Sequence, residues 1–304
     1  MSTAKTSKIV SWIKAARLRT LPLALSSVIM GSFLAIGSGN YMIPVIILSL
    51  VTTLILQILS NFANDYGDSI KGTDNEHRLG PLRTVQSGEI THQEMKWGIL
   101  VSVILSLISG IWLIYYGLGD HWTEGLLFLI LGIASIAAAI KYVVGHNAYG
   151  YRGLGDLFVF LFFGLLGVAG TFYLNAHQIP WSIWLPACTM GFFSTGVLNL
   201  NNMRDIENDK RSGKITIPVR LGSERAWNYH VALILSGWIC AVLFTLLHYH
   251  GMVQFIYLIV MPVFILDLMK IKHTSDKRAL DPYLKRLALS TLAFTLLFGT
   301  GFVL

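Results

Sequence analysis

The sequence predicts an all-α integral membrane protein with about nine transmembrane helices, and three observations carry that reading. Only 13% of the 304 residues are charged and 54% are hydrophobic, where a soluble domain carries about 25% charged residues. The apolar residues fall into runs of roughly 17 to 25, long enough for a helix to cross about 30 Å of hydrocarbon. These runs also lack the alternating polar positions and frequent turn signals of a membrane β-barrel.

Taken in order, the spans are expected near 20–36, 42–63, 97–117, 125–143, 154–174, 182–200, 227–247, 252–268 and 287–304. The segment ahead of the first is amphipathic and basic (Lys5, Lys8, Lys14, Arg17, Arg19), and eight more spans follow, so the first span is expected to be retained rather than cleaved as a signal peptide. The remaining Lys and Arg fall in every second connection: Lys71, Arg78, Arg83 and Lys96; then Lys141 and Arg152; then the connections near 201–226 and 270–286. The intervening loops, such as 119–124 and 175–181, carry none. Lys and Arg resist translocation, so the N-terminus is expected in the cytoplasm and the C-terminus outside. The net charge of +7 is then a topological signal, and no nucleic-acid partner is implied. Cys188 and Cys240 fall inside spans, without metal-ligand spacing, and read as small packing residues.

No linker or low-complexity stretch divides residues 1–304, which are expected to form a single domain. Two longer cytoplasmic connections, near 64–96 and 201–226, each open with Asn and Asp where an apolar helix ends. In the first, Asn61, Asn64, Asp65 and Asp68 precede Asp74; in the second, Asn201, Asp205 and Asp209 are four apart. Residues at that spacing share a helix face, so each helix end presents a ladder of oxygen ligands. The ladders sit on spans two and six, which suggests a four-helix unit used twice plus a ninth helix.

Carboxylates crowded at one membrane face repel each other and resist desolvation unless a cation neutralises them. Hard oxygen ligands suit magnesium, which takes one or two carboxylates and fills its other positions with water and phosphate oxygens. Lys71, Arg78, Arg83, Arg204, Lys210, Arg211 and Lys214 lie in the same two connections and could hold phosphate directly. A metal-bridged diphosphate follows. A cation transporter is the rival outside enzymology, but transporters place polar breaks near the bilayer midplane, whereas these acids gather at one end. Asp267 has no acidic neighbour and reads as an interfacial or packing residue, and His248 and His250 lie on the outer side.

The two Asn/Asp ladders resemble the paired motifs of intramembrane aromatic prenyltransferases, the UbiA superfamily. Segments 17–22 (RLRTLP), 72–90 (GTDNEHRLGPLRTVQSGEI), 149–156 (YGYRGLGD) and 199–213 (NLNNMRDIENDKRSG) resemble the branch that prenylates 1,4-dihydroxy-2-naphthoate in menaquinone synthesis, as found in enteric-type bacteria. The Tyr-Pro-x-x-Lys-Arg pattern of the hydroxybenzoate branch is absent after the fourth span. The resemblance implies nine helices around a central cavity open to lipid, a bacterial inner-membrane location, and a cytoplasmic-face site. It also implies a polyprenyl diphosphate donor, Mg2+ as cofactor, and loss of the ring carboxylate as carbon dioxide. Acceptors such as 4-hydroxybenzoate, homogentisate or haem remain as alternatives.

On that reading Asn64, Asp65, Asp68, Asn201, Asp205 and Asp209 hold the metal, the four aspartates being the catalytic set. Arg78, Arg83, Arg204 and Lys210 are expected at the phosphates. Tyr66, Tyr142, Tyr149 and Tyr151 are candidates to stabilise an allylic cation through their ring faces, and Arg152 is expected to meet the acceptor carboxylate.

Overall fold

The computed structural model describes residues 7–304, so Lys5 lies outside the described part. Among the described residues, nine helical stretches are long and apolar enough to cross a membrane, as composition requires. A short amphipathic helix α1 (Lys8–Ala16) precedes α2 (Leu21–Gly37). Then come α3 (Ile43–Lys71), α4 (His92–Leu118), α5 (Trp122–Lys141) and α6 (Gly155–Ala176), whose middle, Phe160–Gly170, is π-helical. The second half is α7 (Trp184–Arg204), a short α8 (Ile206–Arg211), α9 (Ile217–Leu247), α10 (Met252–Lys272) and α11 (Asp281–Val303).

The connections are shorter than the sequence implies, because polar residues continue the helices instead of ending them. α3 runs through Asn64, Asp65 and Asp68 and stops only at Gly72, whose φ of 70° closes the last turn in the left-handed conformation that glycine adopts without strain. Likewise α9 begins at Ile217, with a break at Gly222 (φ 76°, ψ 166°) inside the stretch expected to be loop. α4 starts at His92, held by a capping box between Thr91 and Glu94.

The two halves of the chain pack differently. In the C-terminal half, Phe193 of α7 meets Phe264 and Phe294 with centroids 5.0 and 5.2 Å apart, and Trp238 meets the same two rings at 5.2 and 5.3 Å. Three of these four pairs are edge-to-face and the Phe193–Phe264 pair is tilted, which together give a dense aromatic core. Small residues let the backbones close in: a Cβ on Gly164 would lie 2.5 Å from the Cα of Gly191. In the N-terminal half, α5 buries only Ala138, and its inner face borders open space.

Candidate active site

That space is a cavity of about 880 Å3. Along α3 it is lined by Ser49, Thr53, Gln57, Asn61, Asp65 and Asp68, one residue per turn on one face. From Ser49 to Asp68 the helix rises roughly 28 Å, close to the thickness of the hydrocarbon. The face is acidic at the loop end and grades through amides to hydroxyls. Opposite it stand apolar groups of α5 and α6, including Phe128, Phe162 and Leu166.

At the loop end the first ladder is buried and only partly satisfied. Asp65 accepts from the Thr84 hydroxyl (2.6 Å) and amide (3.3 Å) through Oδ2, while its Oδ1 is buried without a partner, as is Oδ1 of Asn64. Asp68 accepts from the Tyr151 hydroxyl at 2.9 Å and lies 3.6 Å from Arg83. Asp74, only 8% exposed, joins them from the following loop, with Arg78 at 3.2 Å and Arg83 at 3.5 Å. Burial and then the charge of Asp68 push its carboxyl up to about 7, against the pull of Arg78 and Arg17.

The second ladder is paired within the protein. Asp205 holds the guanidinium of Arg204 at 3.1 and 2.6 Å, and the buried Arg204 also bonds Asn201 (2.9 Å) and Asp281. Asp209 lies 3.6 Å from the Lys214 ammonium, with its other oxygen, Oδ2, buried and bare. Burial lifts Asp209 to about 6 despite Lys214. Burial opposes the charge on Lys214, but Asp209 and Asp68 outweigh it and raise its pKa. One lysine thus answers to both ladders. A direct strut also joins them, the Asn208 amide donating to the Thr73 carbonyl at 2.9 Å.

Of the residues singled out in the sequence, Asn64, Asp65, Asp68, Asn201, Arg78, Arg83, Tyr142 and Tyr149 line the cavity. Asp205, Asp209, Arg204 and Tyr151 lie immediately behind, bonded as described. Arg204 is therefore committed to carboxylates rather than presented to a ligand. Three others stand apart. Tyr66 sits one residue, 100° around the helix, from Asp65; it packs on His92 at 6.0 Å and under Lys96 at 5.7 Å. Lys210 is exposed to solvent. Arg152 bonds Asn147 at 2.5 Å, and its carbonyl accepts from Arg220, so neither reaches the cavity. Arg17, which the sequence offers as a topological charge and within the 17–22 segment, and Thr84, within 72–90, carry no expected site role, yet both line the cavity. Lys214 reads in the sequence as one loop cation among several, and Asp74 has no assigned role there.

The donor set fits a divalent hard cation. Asn64 Oδ1, Asp65 Oδ1 and Asp209 Oδ2 are buried oxygens with no partner, which is costly unless a ligand completes them. The described residues contain no group of three or more His, Cys, Asp or Glu placed to hold a metal ion. An ion at the bare oxygens would draw its remaining ligands from phosphate and water, as magnesium does.

The chain is 41% identical to the 1,4-dihydroxy-2-naphthoate octaprenyltransferase of Escherichia coli, over all of this chain and 98% of that one. Identity to the Haemophilus influenzae enzyme of the same name is also 41%, over 98% and 97% of the two chains. The fold matches a UbiA homologue from Aeropyrum pernix with a TM-score of 0.68 at 17% identity, covering 94% of this chain and 97% of the other. A UbiA homologue from Archaeoglobus fulgidus, bound to DMAPP and Mg2+, superposes with a TM-score of 0.59 at 18% identity, over 94% and 98%. The model of the UbiA prenyltransferase family matches residues 24–299, and the chain is a multi-pass membrane protein belonging to that family.

Proposed function

We propose that this protein transfers a polyprenyl group from polyprenyl diphosphate to 1,4-dihydroxy-2-naphthoate, with loss of the carboxylate and release of diphosphate, giving demethylmenaquinone. The observation that carries the reading is the join of two environments: bare oxygen donors and cations at one end of a cavity whose wall opposite α3 is apolar and which runs about as far as a leaflet pair is thick. An amphiphile with a charged head and a long hydrocarbon tail matches it, each buried methylene contributing about 0.8 kcal/mol. The names of the naphthoate relatives support the acceptor.

Asn64, Asp65, Asp68 and Asp209 would hold magnesium on the diphosphate, while the oxygens of Asn201 and Asp205 are engaged by Arg204 beside them. The bound ion would supply charge neutralisation of the leaving group. Arg78 and Arg83, on the cavity wall, add cationic contacts to the phosphates, and Lys214 adds charge from between the ladders. Tyr142 and Tyr149, 5.4 Å apart, with Phe158 stacked on Tyr149 at 4.0 Å, form an aromatic wall suited to an allylic cation. The surrounding helices exclude water that would otherwise capture that cation. The one-sided Lys and Arg distribution supports a site at the cytoplasmic face of a bacterial inner membrane, with the N-terminus inside and the C-terminus outside.

The test is purified protein with magnesium, a series of allylic diphosphates and several aromatic acids, with products separated by mass. Prenylated, decarboxylated naphthoate that disappears on chelation is the expected product. Prenylation of 4-hydroxybenzoate in its place, or magnesium flux without transfer, overturns the reading.

A further inference from the structure

One turn toward the hydrocarbon from Asn61, and roughly 12 Å along the axis from Asp65, Gln57 lines the same face of α3. Its amide orientation is determined by its neighbours. Asn61 Nδ2 donates to the Ala16 carbonyl at 2.9 Å and to the Thr20 hydroxyl at 3.0 Å. A carbonyl only accepts, so this contact sets which end of Asn61 is nitrogen. Asn61 Oδ1 therefore faces Gln57, and Gln57 Nε2 donates to it at 3.3 Å and to Thr20 at 3.2 Å. Both donors of Gln57 are spent, and its Oε1 is left buried with no partner. A bare amide oxygen at the border of a membrane cavity is costly. It is also a fixed acceptor waiting for a donor.

Polyprenyl diphosphate has no donor hydrogen at that depth, since its tail is hydrocarbon. The aromatic acceptor does. Of its two ring hydroxyls, the one beside the carboxylate is engaged internally by that carboxylate, leaving the hydroxyl on the far ring position as the available donor. We infer that Gln57 Oε1 accepts a hydrogen bond from this hydroxyl and orients the aromatic acceptor beneath the diphosphate, with Asn61 and Thr20 as the brace that aims it. The inference rests on the function proposed above. It makes Gln57 a positioning residue for one substrate only.

The test uses the full-length protein in detergent with geranyl diphosphate and 1,4-dihydroxy-2-naphthoate, and 1-hydroxy-2-naphthoate, which lacks the far hydroxyl, as competitive ligand. A site built around a substrate hydroxyl rejects the analogue without it. The unsubstituted protein should therefore bind the dihydroxy compound roughly tenfold or more tightly than the monohydroxy one. In Gln57→Leu the preference should collapse to near unity while KM for geranyl diphosphate is unchanged. Gln57→Asn keeps an amide but withdraws its oxygen, and should lose the preference too, covering the case in which the leucine variant does not fold. Persistence of the preference in either variant overturns the inference alone. Absence of any transfer to 1,4-dihydroxy-2-naphthoate by the unsubstituted protein overturns the functional reading, and this inference with it.

Discussion

The two acidic ladders are alike in sequence and unlike in surroundings. On α3, Asp65 and Asn64 each keep a buried oxygen without a partner, and the helix borders a cavity on its inner face. On α7 and α8, Asp205 is closed by a bidentate arginine, and Asp209 lies 3.6 Å from a lysine and keeps only its Oδ2 bare, against the aromatic core of the C-terminal half. The hollow half presents most of the open oxygens; the solid half holds Asp205 in an internal pair and leaves one oxygen of Asp209 open. Duplication of a motif therefore does not duplicate its role, since the packing around each copy decides which oxygens remain to bind anything.

The largest expected effect strikes the hollow side. Asp68→Ala should lower prenyl transfer by at least about 10²-fold, measured as product formed per minute by purified protein, while thermal unfolding in detergent stays within a few degrees. Near-normal turnover would break the assignment of open ligands to the first ladder. On the solid side the expected loss is of stability. Arg204→Ala strands the buried Asp205, while Asp281 keeps Arg19 at 3.2 Å, and breaking a buried pair costs about 3–5 kcal/mol. A marked drop in unfolding temperature should appear before any specific change in KM. If Arg204→Ala instead raised KM for the diphosphate at unchanged stability, Arg204 would be a ligand contact and the contrast between halves would fail.

Much of this was legible in the letters. Long apolar runs announce spans because backbone groups in lipid must bond internally, and spacing of four announces a shared face. Loop tertiary structure was not legible. Asp74 reaches the site because the chain turns at Gly72 and folds back over α3, a path no periodicity encodes. Helix ends were misjudged for a related reason: Asn64 and Asp65 look like a boundary by polarity, yet α3 continues to Lys71 and carries them as helical residues. Tyr66 was avoidable, since a residue adjacent to Asp65 points 100° away from the ladder. Arg17 was hidden by its own plausibility as a topological charge.

Glycines offer a finer comparison of the halves. In Gly237→Ala the new methyl meets the Phe193 ring in the aromatic core, an overpacking worth about 1–3 kcal/mol of destabilisation. Gly132 lines the cavity on α5, with nothing within 4 Å of where a Cβ would stand. Gly132→Ala should stabilise by roughly 0.5–1 kcal/mol, because alanine loses less backbone freedom in a helix. Opposite signs in thermal unfolding are the expected outcome; equal losses would mean that α5 is packed as tightly as α9.

A last comparison separates two lysines four residues apart. Lys210 is exposed, whereas Lys214 is 6% exposed and shared electrostatically between Asp209 and Asp68. Lys214→Met removes the only cation within salt-bridge distance of Asp209 among the described residues, so its carboxyl, already lifted by burial, would take up a proton and bind metal less well. Loss of such a supporting partner costs about 10–100-fold in activity. Lys210→Ala should leave kcat/KM within about twofold, the range of a surface substitution. Comparable losses in both would show that the exposed lysine reaches the diphosphate once it binds, and that the second ladder's side of the mouth closes over its ligand.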